Sequence, residues 1–166
     1  MTSALVTCPG CGSVLPAVDG PVHDYMTSSP ACWASFSAIL AQEYATPALM
    51  PIQWLSVDTW AVQHPGDGSR RAIQSVGLHL ARLMRILEDG LDAAAANAEM
   101  QAFASRRTTL PELPPRPGYA VTIADVPPTD DPTVHRAAVE HWARATWDAW
   151  RDQHATIRAR ADNMKR

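Results

Sequence analysis

The chain has 166 residues, 46% of them hydrophobic and 19% charged, a composition that suits one ordinary globular domain able to bury most of its apolar surface. A formal net charge of -3 leaves no excess of clustered Lys and Arg, which argues against nucleic acid as a partner. No stretch approaches the roughly 18 uninterrupted apolar residues of a membrane span, and the opening residues are uncharged and too short for a secretory signal. A cytoplasmic protein with no membrane partner is therefore expected.

In chain order, residues 1–29 are broken by Pro9, Gly10, Gly12, Pro16, Gly20 and Pro21 and read as an irregular cap. A helix follows over 30–45: Ser29 suits the N-cap, Pro30 suits the first helical position, and Trp33, Phe36, Ile39, Leu40, Glu43 and Tyr44 recur at helical spacing until Thr46-Pro47. A second helix is predicted over 57–64, capped by Ser56, with Leu55 and Trp60 placed as a hydrophobic staple and Pro65-Gly66 as its stop. Over 70–89 the set Ile73, Val76, Leu80, Leu83, Met84 and Leu87 repeats at steps of three and four before Gly90. Residues 92–107 are alanine-rich, with Met100 and Phe103 as their large apolar anchors.

The proline-dense segment 108–132 reads as a connector, in which 121–126 forms either a short strand or one helical turn. Asp131 and Pro132 then open a long helix over 132–160, whose wheel puts His135, Val139, Trp142, Thr146, Trp150 and Ile157 inward and His141 outward. No segment alternates with period two for long enough to build a sheet. The expected fold is mainly α, a compact helical bundle with an irregular zinc-clamped N-terminal cap. As one domain over 1–166 it comprises the metal-binding cap 1–32, helices within 33–107, the connector 108–132 and the C-terminal helix 132–160.

The sharpest chemical signal is Cys8-Pro9-Gly10-Cys11-Gly12, since two thiolates separated by two residues can reach one tetrahedral ion while the glycines permit the turn around it. Cys32 adds a third sulfur in the first turn of a helix, where free N–H groups favour a thiolate. A thioredoxin-type redox pair normally stands between strand and helix of an α/β pattern, which this chain lacks. With no fourth cysteine, the remaining ligand is a histidine, a carboxylate or water. His23, His64 and His79 are the candidates: His23 closes the shortest loop, and His64 projects from a helix end one turn after Trp60. The donor set points to Zn2+ as the cofactor.

These elements together resemble a family of small, uncharacterised bacterial proteins, a domain-of-unknown-function family. The matching motifs are Cys8 to Gly12, Ser29-Pro30-Ala31-Cys32-Trp33, Val57-Asp58-Thr59-Trp60-Ala61-Val62-Gln63-His64-Pro65-Gly66, Gln74-Ser75-Val76 with His79, Thr122-Ile123-Ala124-Asp125-Val126, and the Trp142, Trp147 and Trp150 helix. Trp60 stands where the family has Tyr, and Leu110-Pro111-Glu112-Leu113-Pro114 departs from its Trp-Leu-Glu-Pro-Pro pattern. The resemblance implies no activity. It favours His64 over His23 as the fourth ligand, because the Gln-His-Pro-Gly element belongs to the family's recognisable core.

Three functions fit these readings. The leading one is a binding or interaction module for a protein or small molecule, with Cys8, Cys11, Cys32 and His64 holding a structural zinc. The second is a small metal-dependent enzyme with a Trp- and His-lined pocket, in which Asp58, His79 and His154 are the catalytic candidates and His79, His135 and His154 could form a further centre. For Asp58, orienting a metal-bound imidazole competes with a plain place in the first turn of its helix. The third is a thiol sensor that releases zinc on oxidation. A Gly-rich phosphate loop, a His-Glu-x-x-His element and a nucleophile elbow are all absent.

Overall fold

The computed structural model describes residues 4–106, 108–114 and 118–165. Its N-terminal segment is more regular than the sequence suggests: Leu5–Thr7 (β1) and Val14–Pro16 (β2) pair antiparallel, Leu5 facing Pro16 and Thr7 facing Val14. Three residues are too few to display a period of two, so the hairpin is set by its turn instead. Cys8 N–H donates to Ser13 O at 2.8 Å, Gly12 N–H donates to Cys8 O at 3.0 Å, and Gly12 adopts φ 80°, a left-handed conformation that glycine enters without a Cβ clash.

The first helix, α1, spans Pro30–Ala45, with the Ser29 hydroxyl accepting the Cys32 N–H. It buries Phe36, Ile39 and, unexpectedly, Glu43, while Tyr44 faces solvent. Helix α2 spans Gln53–Gln63 and so starts earlier than the predicted 57–64. A run of tight turns through Leu49 and Ile52 leads directly into it, and Ser56 lies within the helix rather than capping it. Helix α3 spans Arg70–Leu87 behind a Ser69 N-cap, and α4 spans Ala93–Ser105 behind an Asp92 cap. In the connector, Ile123–Asp125 forms one 3-10 turn closed by a capping box between Thr122 and Asp125.

The predicted helix 132–160 is two helices, α5 over Pro132–Ala149 and α6 over His154–Met164, joined by a 3-10 turn at Arg151–Gln153. No proline or glycine marks the break. Trp150 and Gln153 shift their N–H groups to acceptors three residues back, and the His154 ring stacks on Trp147 at 3.8 Å across the turn. The bend lets α5 pack on α2 while α6 packs on α3 and α4. The inward set read from the wheel holds on both sides of it: His135, Val139, Trp142, Thr146, Trp150 and Ile157 are buried and His141 is exposed.

Buried polar groups tie the helices together. Gln63 donates to Thr146 Oγ1 and to the Val121 carbonyl, and its Oε1 accepts the Trp142 indole N–H at 3.2 Å. Glu43 Oε1 accepts from Ser56 at 2.6 Å and from His135 Nε2 at 2.8 Å, joining α1, α2 and α5. Arg85 spreads its guanidinium over Asp89, Glu99 and Asp162, joining α3 to α4 and α6. Among the described residues no helix is long and apolar enough to cross a membrane.

Trp142 is 0% exposed, so Trp142→Ala removes a large ring and strands the Gln63 carbonyl. A loss of about 3–5 kcal/mol is expected. His141→Ala on the opposite face should stay within about 0.5 kcal/mol. Urea unfolding of the two variants measures both, and equal losses would contradict the packing described.

Candidate metal centre

The Cys8–Ser13 turn carries two of the donors, the first turn of α1 carries Cys32, and the residue that ends α2 is His64. None of the four is more than 1% exposed, and their donor atoms all lie within 4.8 Å of one another. Cys11 Sγ is 3.9 Å from Cys32 Sγ, while His64 Nε2 is 3.5 Å from Cys8 Sγ and 3.3 Å from Cys32 Sγ. A tetrahedral ion with bonds of about 2.3 Å to sulfur and about 2.0 Å to nitrogen would set edges of about 3.8 Å and about 3.5 Å. The observed separations are close to those edges and far too long for a disulfide, and all three cysteines are free. These four residues can hold a metal ion.

Local structure presents each donor. His64 Nδ1–H donates to the Trp60 carbonyl at 2.6 Å, which turns Nε2 toward the sulfurs. The imidazole also stacks on Trp60 at 4.0 Å, and Trp60 stacks on Phe36 at 4.5 Å. The Ser29 N–H donates to Cys8 Sγ, and Cys11 Sγ shares a hydrogen bond of 3.1 Å with Ser13.

Charge is unevenly distributed over the sulfurs. Hydrogen bonds from Cys11 and Cys32 hold Cys8 far below the usual thiol range. The same contacts with Cys11 and Cys8, together with burial, drive Cys32 far above it. For His64, burial works against the imidazolium, but contacts with Cys11 and Cys8 outweigh it and raise the ring to about 9. Three buried sulfurs crowded together resist ionising together, and a divalent cation is the charge that would allow it.

The other residues singled out in the sequence lie elsewhere. His23 is outside the group of four: its Nδ1 accepts the backbone N–H groups of Tyr25 and Met26, and its ring meets Trp33 edge-on at 5.3 Å. Burial lowers its pKa, in keeping with a neutral ring that organises the loop. Asp58 is neither in a first turn nor against His64, since the earlier start of α2 puts it mid-helix, facing α3. There its carboxylate accepts Arg82 Nε and Nη2 and, at 2.7 Å, His79 Nδ1. Arg82 also bonds Asn97 and covers the Trp54 ring at 4.4 Å. The structure thus joins Asp58 to His79 but not to His154, which donates to the Trp147 carbonyl and stacks on that ring. With His135 on Glu43, the three histidines hold three different partners, and no metal-holding group among the described residues includes them.

Sequence reasoning missed Arg82. Its one signal is position, because it lies between Leu80 and Leu83 on a helix whose apolar stripe leaves little room for an unpaired cation.

The fold and this site define a small, mainly helical protein with a buried Cys3His group able to hold a metal ion. Residues 6–151 match the model of the family described as Family of unknown function (DUF5946), and the chain belongs to that family. All four donors lie inside the matched span. Neither a curated protein nor a solved structure matches the chain.

Two glycines give a sharp test of the geometry. A Cβ on Gly10 would lie 2.3 Å from His64 Cδ2 and 2.4 Å from the Thr27 carbonyl, so Gly10→Ala should push the imidazole out of place. Gly12→Ala meets nothing within 4 Å and bears only the strain of its positive φ, about 1–2 kcal/mol. Metal content of the purified variants should fall for Gly10→Ala and hold for Gly12→Ala. On the other side of α2, Arg82→Met leaves Asp58 buried without its main counter-charge and should cost about 3–5 kcal/mol in urea unfolding. It should not change metal content, and a parallel loss of metal would show the two clusters to be coupled.

Proposed function

We propose that Cys8, Cys11, Cys32 and His64 bind one zinc ion, and that the ion is structural. It fastens the β1–β2 hairpin onto the meeting point of α1 and α2, in a module that binds a protein or small-molecule partner. The observation that carries this reading is the gathering of four buried donors within 4.8 Å of one another, with the Cys11–Cys32, Cys8–His64 and Cys32–His64 separations near tetrahedral edges; an ion bound to all four would keep no position for water or substrate. Three sulfurs with one imidazole suit zinc over the harder divalent ions. A clamp between residues 56 apart in the chain restrains a large loop, and binding energy at such a site contributes directly to folding.

A metal-dependent enzyme has less support. Catalytic zinc keeps an exchangeable position, and Asp58, His79 and His154 contribute to no shared site with the four donors. A thiol sensor needs sulfurs that oxidants can reach, whereas these are buried.

Elemental analysis of protein purified without chelators should find about one zinc per chain. Cys32→Ser should lose it as fully as Cys8→Ser, and stripping the wild type with a strong chelator should lower the thermal midpoint by several degrees, on the order of 5–10 °C or more. A metal-free protein with three freely titratable thiols and an unchanged midpoint would overturn the proposal.

A further inference from the structure

Beside the metal centre lies a cavity of about 210 Å³, bounded by the Cys8–Cys11 turn, α3, the connector and the end of α6. Its apolar wall is built by Ile73 and Val76 from α3, Leu113 from the connector and Trp150 from the turn after α5. Tyr119 also lines it, donating its hydroxyl to the Val62 carbonyl while accepting from Trp150 Nε1, so these two aromatic residues brace one another. Gly10, Gly66, Gly68 and Gly77 bring bare backbone to the cavity surface.

Among the described residues two charged ones line this apolar space. Glu112 is exposed at the solvent side. Arg160 is partly buried and donates Nη1 to the Pro111 carbonyl at 2.8 Å. Among the described residues no carboxylate pairs with it, although Arg82, Arg85 and Arg158 each hold one. A guanidinium keeps its charge in any such setting, and its remaining donors match a carboxylate in a planar fork.

We propose that this cavity is a binding site for a small organic anion, with a ring-sized apolar body against Val76 and Trp150 and its carboxylate on Arg160. The volume fits that class. An apolar cavity of about 150 Å³ accommodates benzene, so about 210 Å³ holds a ring together with a short carboxylate-bearing arm. The mixed lining, mostly apolar with one convergent charge, is the usual composition of small-ligand sites. The proposal goes beyond the structural-metal reading and needs only that the turn carrying Gly10 keep its shape.

The test uses the full chain, isotopically labelled and with its metal content measured before and after titration. Phenylacetate, neutral phenylacetamide and cationic phenethylamine are added in turn, and the amide signals of Gly10, Gly66, Gly68 and Gly77 are followed by NMR. Phenylacetate should shift them saturably with a Kd of about 0.1–1 mM. Phenylacetamide should bind about tenfold more weakly and phenethylamine not at all. Arg160→Gln should remove the preference for the acid while leaving the amide's affinity within about twofold, Arg160→Lys should keep part of it, and Glu112→Gln should tighten the acid by about two- to threefold. Should Arg160→Gln fail to fold, the three-ligand series on the wild type still decides. No shift at about 20 mM phenylacetate, or equal binding of acid, amide and amine, would overturn the site. With the metal still bound, either result counts against the cavity alone; metal-free protein from the outset would instead count against the zinc reading.

Discussion

One hydrogen bond governs how the cap meets the body. By donating Nδ1–H to the Trp60 carbonyl, His64 commits its other nitrogen to the three sulfurs, and the stack of Phe36, Trp60 and His64 holds that ring in place. Neighbouring segments have little freedom around it. Gly10 has no room for a side chain, the hairpin turn is set so that Cys8 and Cys11 face inward, and the first turn of α1 is placed so that Cys32 completes the group. Dry surroundings strengthen each of these polar contacts and make an unmet one costly.

Helix α2 extends this logic to the whole molecule. It is buried along most of its length yet carries Ser56, Asp58, Gln63 and, at its end, His64. Each addresses a different neighbour: Ser56 reaches α1 through Glu43, Asp58 reaches α3 through Arg82 and His79, Gln63 reaches α5 and the connector, and His64 reaches the cap. An apolar helix could rotate or slide at little cost, whereas these pairings are satisfied in one register. The buried ion pair between Asp58 and Arg82 fits a role in specifying the arrangement, because burial offsets much of the Coulombic gain from such a pair.

The closed coordination proposed for the four donors shifts attention away from an ion as a source of chemistry. The four donors face one another, and under that reading the surface beside them is left to meet other molecules. The turn that bears Gly10 and the loop after His64 form part of the neighbouring cavity wall, so the same local structure that gathers the sulfurs also shapes a space outside them. Clamp and cavity share backbone without sharing donors.

Much of this was legible in the chain. The Cys8, Cys11 and Cys32 pattern, the caps at Ser29 and Asp131 and the stripe of α3 depend on side chains within a few residues of the backbone they organise, and local rules read them directly. The inward face of the last helices was legible too, since a periodicity of 3.6 persists across a bend it cannot reveal. Spacing left His23 and His64 as rivals. The structure separates them because His23 spends its acceptor on its own turn while His64 is turned inward by Trp60, a difference of orientation rather than of sequence distance. The β1–β2 hairpin, the early start of α2, the break after α5 and the partners of Asp58, Glu43 and Gln63 were likewise decided only on folding. Their pairings span up to 92 residues, and at that range packing, not propensity, chooses which polar group meets which.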